Sequence, residues 1–193
     1  MYKKFAAIGI MALTLTTCSS PASGNVVYGH ANKAETVLTI NKLTHNGITS
    51  TVLEKQYKEK ILANRNTIKM NSAIRKLKSH VGKTWYVFSG NTPAGWDCSG
   101  LTMWTYKQLG ITLEHRASKQ QYAGIETKSP LVGDIVVFTY KGYKSAYHVG
   151  IYIGNGKMIH APKHGHTTRI ENISTFAGKY SNVSYRNVIK TNS

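Results

Sequence analysis

The amino-acid sequence predicts an α+β domain, with helices first and an antiparallel sheet of about five strands after them. Apolar residues recur at helical spacing between residues 71 and 109, whereas strand-length apolar runs fill much of residues 135–188. Asn155-Gly156 separates two of those runs, and this dipeptide is typical of the tight turn between antiparallel strands. Helices followed by a run of strands indicate the α+β class.

Residues 1–24 have the pattern of an export signal. Two lysines precede an apolar stretch, Phe5 to Leu15, which is too short to span a bilayer. Leu15-Thr16-Thr17-Cys18 resembles a bacterial lipoprotein box, in which Cys18 would carry a lipid and attach the protein to a membrane. Cleavage between Ser20 and Ala31 would instead remove Cys18. Both alternatives predict an exported protein of the cell envelope, cell wall or extracellular space.

Residues 25–70 form an N-terminal extension of unknown role. Thr36 to Ile40 has the composition of a short strand, and Val52 to Ala63 carries apolar residues at loosely helical spacing. A pro-segment, a small wall-attaching region and an extension packed on the main domain all fit this stretch.

The rest of the chain carries the sharper signals. A helix capped by Asn71 or Ser72 and ended by Gly82 is followed by predicted helices over Ser99 to Leu109 and Ser118 to Tyr122. The predicted strands are Ile135 to Phe138, Tyr147 to Ile153, Lys157 to Ala161 and Asn182 to Val188.

The chain is strongly basic, with 25 lysines and arginines against 8 acids and a formal net charge of +17. A field of this size recruits polyanions. The basic residues are spread along the chain rather than clustered, and the protein is predicted to be exported, so nucleic acid is not the expected partner. Anionic polymers of a cell wall are the expected partner. The alternative is that the charge only keeps the protein soluble.

Cys98 is the one free thiol that both cleavage alternatives leave, so no intramolecular disulfide is expected. It lies in Trp96-Asp97-Cys98-Ser99-Gly100-Leu101, directly before a predicted helix. The positive end of the helix dipole and unpaired backbone N–H groups favour the thiolate. Paired with a histidine imidazolium at rest, the thiol has an expected pKa somewhere around 3–7. A lone cysteine is often a small buried hydrophobe, but the polar neighbours argue against that interpretation.

His148 and His160 lie seven residues before and four residues after the predicted Asn155-Gly156 turn. Two strands joined by that turn bring the two rings onto neighbouring strands. We expect His160 to accept the Nδ1–H of His148, which leaves Nε2 of His148 to hold the proton of Cys98. This combination predicts a cysteine hydrolase that needs no cofactor.

His164 and His166 offer a second interpretation, because with His160 and either Cys98 or His148 they could collect zinc. No pair shows the spacing of a standard zinc finger or zincin. We therefore expect no metal, and we predict that His164 and His166 are loop residues near the cleft.

Four segments together resemble the NlpC/P60 family of cell-wall cysteine peptidases: Gly82–Leu101, Arg116–Gln121, Leu131–Phe138 and His148–Pro162. Asp-Cys-Ser-Gly-Leu and His-Val-Gly-Ile-Tyr-Ile-Gly are specific in combination. The resemblance identifies residues 71–193 as a catalytic domain. It implies a papain-like fold, in which a cysteine opens a helix packed on an antiparallel sheet.

By position, the resemblance implies that Cys98 is the nucleophile, His148 the general base and His160 the polar residue that orients His148. The implied reaction is hydrolysis of an amide in peptidoglycan stem peptides, typically the bond from γ-D-glutamate to the following diamino acid. A monomer is expected. The alternatives are an amidase or acyltransferase on the same scaffold, and a wall-binding module without turnover.

Tyr86, Asp97 and Ser99 are the substrate-binding residues that the resemblance implies. Tyr86 matches a tyrosine whose hydroxyl lies near the nucleophile, and the other two match positions that hold the free amino end of the substrate. Core packing for Tyr86 and helix capping for Asp97 are the alternatives. The sequence departs from the family at Ser89, where glycine is common, and at Thr84-Trp85, which carries one extra residue.

Overall fold

The computed structural model describes residues 50–189, which belong to one compact unit. The helices are α1 (Ser50–Lys78), α2 (Cys98–Lys107), α3 (Ala117–Gln120) and α4 (Ile173–Ala177). The strands are β1 (Asn91–Thr92), β2 (Gly95–Trp96), β3 (Ile125–Thr127), β4 (Ile135–Tyr140), β5 (Ala146–Gly154), β6 (Lys157–His160), β7 (Arg169–Asn172) and β8 (Ser181–Asn187). Of the four helices within residues 50–189, three precede the main run of strands, which confirms the predicted α+β class.

Six strands form one antiparallel sheet in the order β3-β8-β4-β5-β6-β7, and β1 and β2 form a separate two-stranded sheet. The main sheet therefore has one strand more than the five or so expected. Its four predicted strands, β4, β5, β6 and β8, are present. The edge strands β3 and β7 are only three and four residues long and have no continuous apolar run, so the sequence pattern does not predict them.

The helix α1 is longer than the sequence predicts. It confirms the helical spacing over Val52 to Ala63 and continues to Lys78, so Asn71 and Ser72 lie inside it and the helix start predicted there is wrong. The lysines, arginines and glutamates along it are good helix formers, and this composition lets the helix continue. The predicted boundary at residues 70 and 71 thus falls within one helix.

Two other expectations concern residues that the structure does not describe. The export signal and the short strand over Thr36 to Ile40 both lie outside residues 50–189. Within that range, α1 has 29 residues, but neither it nor another helix combines the length and apolar character needed to cross a bilayer.

The main sheet is covered by apolar side chains on both faces. One cluster packs α1 and α2 against it and includes Leu77, Leu101, Tyr106, Val137, Val149 and Ile151. The other lies under α4 and includes Val136, Phe138, Met158 and Ile173. Successive residues of β4 alternate between the two clusters, so this strand is buried on both faces. That burial explains its continuous apolar run.

The Asn155-Gly156 turn sets β5 beside β6 and confirms the predicted hairpin. Both turn residues have positive φ, 52° and 66°, as the favoured two-residue hairpin turn requires. The turn brings Ile151 opposite Ile159 on the neighbouring strand. The two strands that carry the histidines are therefore adjacent.

Candidate active site

Cys98 is the first residue of α2, so its side chain lies at the N-terminus of a helix. Asp97 precedes it as the N-cap, and Oδ1 of Asp97 accepts the N–H of Gly100 at 2.7 Å. Gly100 is required by close packing, because a Cβ there would lie 2.0 Å from the carbonyl oxygen of Gly90. The Asp-Cys-Ser-Gly sequence therefore holds Cys98 on a rigid element.

Asp97 is buried and is fully engaged with its own protein. In addition to the N–H of Gly100, its carboxylate accepts the Ser99 hydroxyl at 2.8 Å and the backbone N–H of Ser89 at 3.1 Å. Nε2 of His115 lies 3.1 Å from Oδ1. These contacts stabilise the start of α2 and the loop before it. A substrate-binding role for Asp97 and Ser99 stays a prediction.

The two predicted histidines meet on adjacent strands. His148 on β5 and His160 on β6 are buried, and Nε2 of His148 lies 2.8 Å from Nδ1 of His160 with the rings perpendicular. The contact is the expected one, but the nitrogen expected from His148 was Nδ1, and that detail is wrong. Phe138 and Phe176 pack against the His148 ring, with centroids 5.8 and 4.6 Å away, and fix its rotation.

Glu171 extends the histidine pair, and the sequence analysis missed it. Its Oε2 lies 3.1 Å from Nε2 of His160. A carboxylate accepts, so Nε2 of His160 carries the proton, and Nδ1 of the same ring accepts the Nε2–H of His148. Nδ1 of His148 is consequently unprotonated. Glu171 lies on β7, a strand without a sequence signal of its own.

Cys98 and His148 line one cleft of about 500 Å³. Cys98 is partly exposed, and the backbone N–H of Val149, directly after His148, donates to its sulfur. His160 is fully buried and contacts two residues of the cleft wall, His148 and Glu171. The rest of the wall is largely aromatic and cationic and includes Tyr86, Tyr140, Tyr147, Lys163, His166 and Arg169.

Burial keeps both reacting groups neutral at rest. It raises the pKa of Cys98 to about 11, although the N–H groups of Val149, Ser99 and Cys98 favour the thiolate. Burial, and then the neighbouring His160, lowers the pKa of His148 well below its usual value. The expected thiolate with a pKa around 3–7 is therefore wrong, because loss of solvation outweighs the helix N-terminus.

Tyr86 lines the same cleft as Cys98, and its role in substrate binding stays a prediction. Burial raises the pKa of its hydroxyl, and charge on Cys98 or Asp97 raises it further. The hydroxyl therefore stays protonated near neutral pH and can donate a hydrogen bond into the cleft.

The loop after β6 contains the remaining histidines. Both are loop residues, as predicted, and His166 lines the cleft. His164 is exposed and is not one of the residues that line it. Among residues 50–189, no group of three or more His, Cys, Asp and Glu side chains is arranged to hold a metal ion.

With this geometry in place, comparison with known proteins gives a consistent answer. A sequence model of the NlpC/P60 family matches residues 82–188, more than half of the chain. The chain belongs to the NlpC/P60 family. The matched residues contain α2, the two histidine strands and Glu171, so the NlpC/P60 match covers the whole candidate site.

Solved structures confirm the NlpC/P60 fold. The crystal structure of the NlpC/p60 domain of peptidoglycan hydrolase SagA has a TM-score of 0.52 and 29% identity, covering 60% of this chain and 96% of that one. An NlpC/P60 family protein from Bacillus cereus has a TM-score of 0.57 and 29% identity, covering 63% and 40%.

Curated relatives of this NlpC/P60 protein are larger. Murein DD-endopeptidase MepH of Escherichia coli is 38% identical over 108 residues, which cover 53% of this chain and 40% of MepH. The bifunctional muramidase/DL-endopeptidase CwlT of Bacillus subtilis is 44% identical over 85 residues, covering 42% and 26%. The chain spans less than half the length of these relatives.

Proposed function

We propose that this protein is a peptidoglycan endopeptidase of the cysteine type, with Cys98 as nucleophile, His148 as general base and His160 as the residue that orients it. The observation that carries the proposal is the hydrogen-bonded chain from Glu171 through His160 to His148. It leaves Nδ1 of His148 free to take a proton in the cleft that Cys98 also lines. The endopeptidase names of MepH and CwlT support the same activity.

The first half-reaction forms a thioester. Sγ of Cys98 attacks the carbonyl carbon of the scissile amide while Nδ1 of His148 takes the thiol proton, and the carbonyl oxygen becomes an oxyanion. The intermediate collapses, the C–N bond breaks, and Nδ1–H protonates the leaving amine. The proton must move during attack because the raised pKa of Cys98, about 11, keeps the resting thiol neutral.

The second half-reaction hydrolyses the thioester. Nδ1 of His148 takes a proton from water as the water oxygen attacks, and collapse returns that proton to Sγ of Cys98 and releases the acid product. Backbone N–H groups at the start of α2 supply part of the oxyanion hole, where one donor is worth about 3–4 kcal/mol in comparable enzymes.

His160 and Glu171 act on the charge that forms at His148. While His148 holds the extra proton it is an imidazolium, and its Nε2–H donates to Nδ1 of His160. The carboxylate of Glu171, joined to the other side of His160, stabilises that positive charge at a distance. The two residues therefore orient the base and favour its charged form in the transition state.

We propose the amide from γ-D-glutamate to the following diamino acid as the scissile bond. The names of the relatives differ here, since MepH is a DD-endopeptidase and CwlT includes a DL-endopeptidase. The proposal depends on Asp97 and Ser99, which resemble family positions that hold the free amino end of the substrate, and on Tyr86, which resembles a tyrosine whose hydroxyl lies near the nucleophile. The D-glutamyl bond is the one that follows the second residue from that end.

The remaining proposals concern the whole protein. An exported monomer would act on stem peptides in the cell envelope, cell wall or extracellular space, with or without a lipid on Cys18. The net charge of +17 would attract anionic wall polymers.

Digestion of purified sacculi followed by mass spectrometry of the released muropeptides tests the activity and the bond together. We expect new γ-D-glutamyl C-termini and new diamino-acid N-termini, and neither of them with the Cys98→Ala variant. Full activity of that variant would remove Cys98 from the mechanism.

The other outcomes of the same digestion identify the alternatives. Cleaved cross-links with intact D-glutamyl bonds would indicate DD-endopeptidase activity. Separated glycan and peptide would indicate an amidase, and transferred acyl groups an acyltransferase. Binding to sacculi without new termini would indicate a wall-binding module.

A further inference from the structure

Three nitrogen-bearing side chains, Lys163, His166 and Arg169, line the same cleft as Cys98. Nη2 of Arg169 donates to Nδ1 of His166 at 2.6 Å, so the neutral His166 ring carries its proton on Nε2. A guanidinium has five N–H donors, and no other Arg169 side-chain hydrogen bond occurs within residues 50–189. The group therefore retains donors for a ligand.

Within residues 50–189, no acidic side chain forms an ion pair with Lys163 or Arg169. The ion pairs of the described residues join His115 to Asp97, His160 to Glu171 and Arg186 to Glu126, and none involves Lys163 or Arg169. Glu171 is the acidic residue of the cleft wall, and it contacts His160. An unpaired guanidinium and ammonium on a concave wall attract an anion.

The backbone that carries the cluster is held rigidly. The carbonyl oxygen of His166 accepts the N–H of Tyr86 at 2.9 Å, and the N–H of Thr168 donates to the carbonyl oxygen of Thr84 at 2.8 Å. Arg169 begins β7, directly opposite His160 on β6. The backbone at His166 and Arg169 is thus fixed between the Tyr86 wall and the histidine strand, and the Arg169–His166 hydrogen bond holds those two side chains together before a ligand arrives.

We propose that Lys163, His166 and Arg169 form a carboxylate subsite for the stem peptide beside the scissile amide, which rests on the proposed function. A guanidinium takes a carboxylate through two parallel hydrogen bonds. Two free carboxylates flank the proposed bond: the α-carboxylate of D-glutamate on the acyl side, and the second carboxylate of meso-diaminopimelate on the amine side. Amidation of the recognised carboxylate removes the charge, so the enzyme prefers unamidated stem peptides.

Four synthetic peptides test the subsite. Each is L-Ala-γ-D-Glu-meso-diaminopimelate-D-alaninamide, in which the two named carboxylates are the only ones, and the four have both carboxylates free, either one amidated, or both amidated. Each is assayed with the wild type, with the double variant Lys163→Gln/Arg169→Gln, and with the control Arg75→Gln/Lys128→Gln. The control residues are exposed and lie outside the cleft. The control loses the same two charges, so an effect of net charge alone would appear in both variants.

We expect the wild type to cleave the free acid faster than one of the singly amidated peptides, by about 10- to 100-fold in kcat/KM. The singly amidated peptide with the lower kcat/KM identifies the recognised carboxylate. The ratio of kcat/KM for the free acid to that for the amidated peptide should fall to about one in Lys163→Gln/Arg169→Gln. The same ratio should keep its wild-type value in the control. Equal cleavage of all four peptides by the wild type, or an unchanged preference in Lys163→Gln/Arg169→Gln, would overturn the subsite.

The ratio of acid to amide cleavage separates recognition from chemistry. Arg169 lies beside His160, so its loss can also alter the proton transfer, but that effect lowers kcat/KM equally for all four peptides. If the wild type cleaves none of them, the proposed function fails, and calorimetric binding to Cys98→Ala still tests the subsite. The subsite is supported if Cys98→Ala binds the free acid more tightly than the amide and adding Lys163→Gln/Arg169→Gln abolishes that difference. Equal binding of the acid and the amide to Cys98→Ala overturns it.

Discussion

Nε2 of His160 lies 3.1 Å from Oε2 of Glu171, while Nδ1 on the other side of the ring contacts His148. His160 is fully buried, so these two partners determine which nitrogen carries its proton. The arrangement has one consistent direction of donation, from His148 to His160 to Glu171. A change at Glu171 is therefore transmitted to the base.

The Glu171→Gln variant should lower kcat about 10-fold with little change in KM. Glutamine keeps an oxygen that can accept the Nε2–H of His160, but it lacks the negative charge that stabilises the imidazolium on His148. Steady-state kinetics on a muropeptide measure both constants. Glu126→Gln is the matched control, because Glu126 lies on β3 and pairs with Arg186. A change in KM alone would show that Glu171 contacts substrate instead.

Alkylation of Cys98 by iodoacetamide should accelerate steadily with pH. Its pKa is raised to about 11 by burial, so the thiolate fraction grows about tenfold for each pH unit between pH 6 and pH 9. Mass spectrometry of the modified peptide gives the rate, and Cys98→Ala confirms the site. A rate that is already maximal at pH 6 would instead show a resting thiolate.

The sequence predicts the centre of this fold well, for physical reasons that individual elements illustrate. The strand β4 is buried on both faces, which requires an apolar run, and Asn155-Gly156 adopts the positive φ values that few other pairs tolerate. The helix α2 begins at a capping aspartate directly before Cys98. Local sequence determines each of these features, so each can be read from a short segment.

The missing parts depend on tertiary contacts. The strand β7 reads Arg-Ile-Glu-Asn, and its one apolar residue, Ile170, is exposed, so no periodic pattern predicts the strand or places Glu171 near His160. The rotation of the His148 ring depends on Phe138 and Phe176, which are distant in sequence. The pKa of Cys98 depends on burial by the assembled fold. Residue spacing contains none of this information.

Stability should decrease on acidification below pH 6.5. Burial lowers the pKa of His160 to about 4 and lowers that of His148 well below its usual value, so between pH 6.5 and pH 4 the unfolded chain binds more protons than the folded one. Each histidine then destabilises the fold by about 1.4 kcal/mol per pH unit, and neither contributes a pH dependence above its unfolded pKa.

Thermal unfolding between pH 7 and pH 4.5 measures this effect. The His160→Asn variant should have a smaller decrease in Tm on acidification, because asparagine does not titrate and its side-chain oxygen can still accept the Nε2–H of His148. A Tm that rises from pH 7 to pH 5 would contradict the buried neutral pair.

The Ser89→Gly variant should stabilise the fold by about 0.5–1 kcal/mol. Ser89 has a φ of 59°, in the left-handed region, and its N–H donates to Oδ2 of Asp97 in that conformation. The left-handed region costs a side-chain-bearing residue about 1–2 kcal/mol, while the greater freedom of glycine in the unfolded chain offsets about 0.5–1 kcal/mol. Glycine, which the family resemblance implies at this position, adopts a positive φ without this strain.

Chemical denaturation of Ser89→Gly beside Ser174→Gly separates backbone strain from a general effect of glycine. Ser174 is exposed inside α4 and has ordinary helical backbone, so glycine there should destabilise the fold by about 0.5–1 kcal/mol. Opposite signs for the two variants would attribute the gain at Ser89 to its positive φ. Destabilisation by both would mean that the Ser89 side chain contributes more to the loop before Cys98 than its backbone costs.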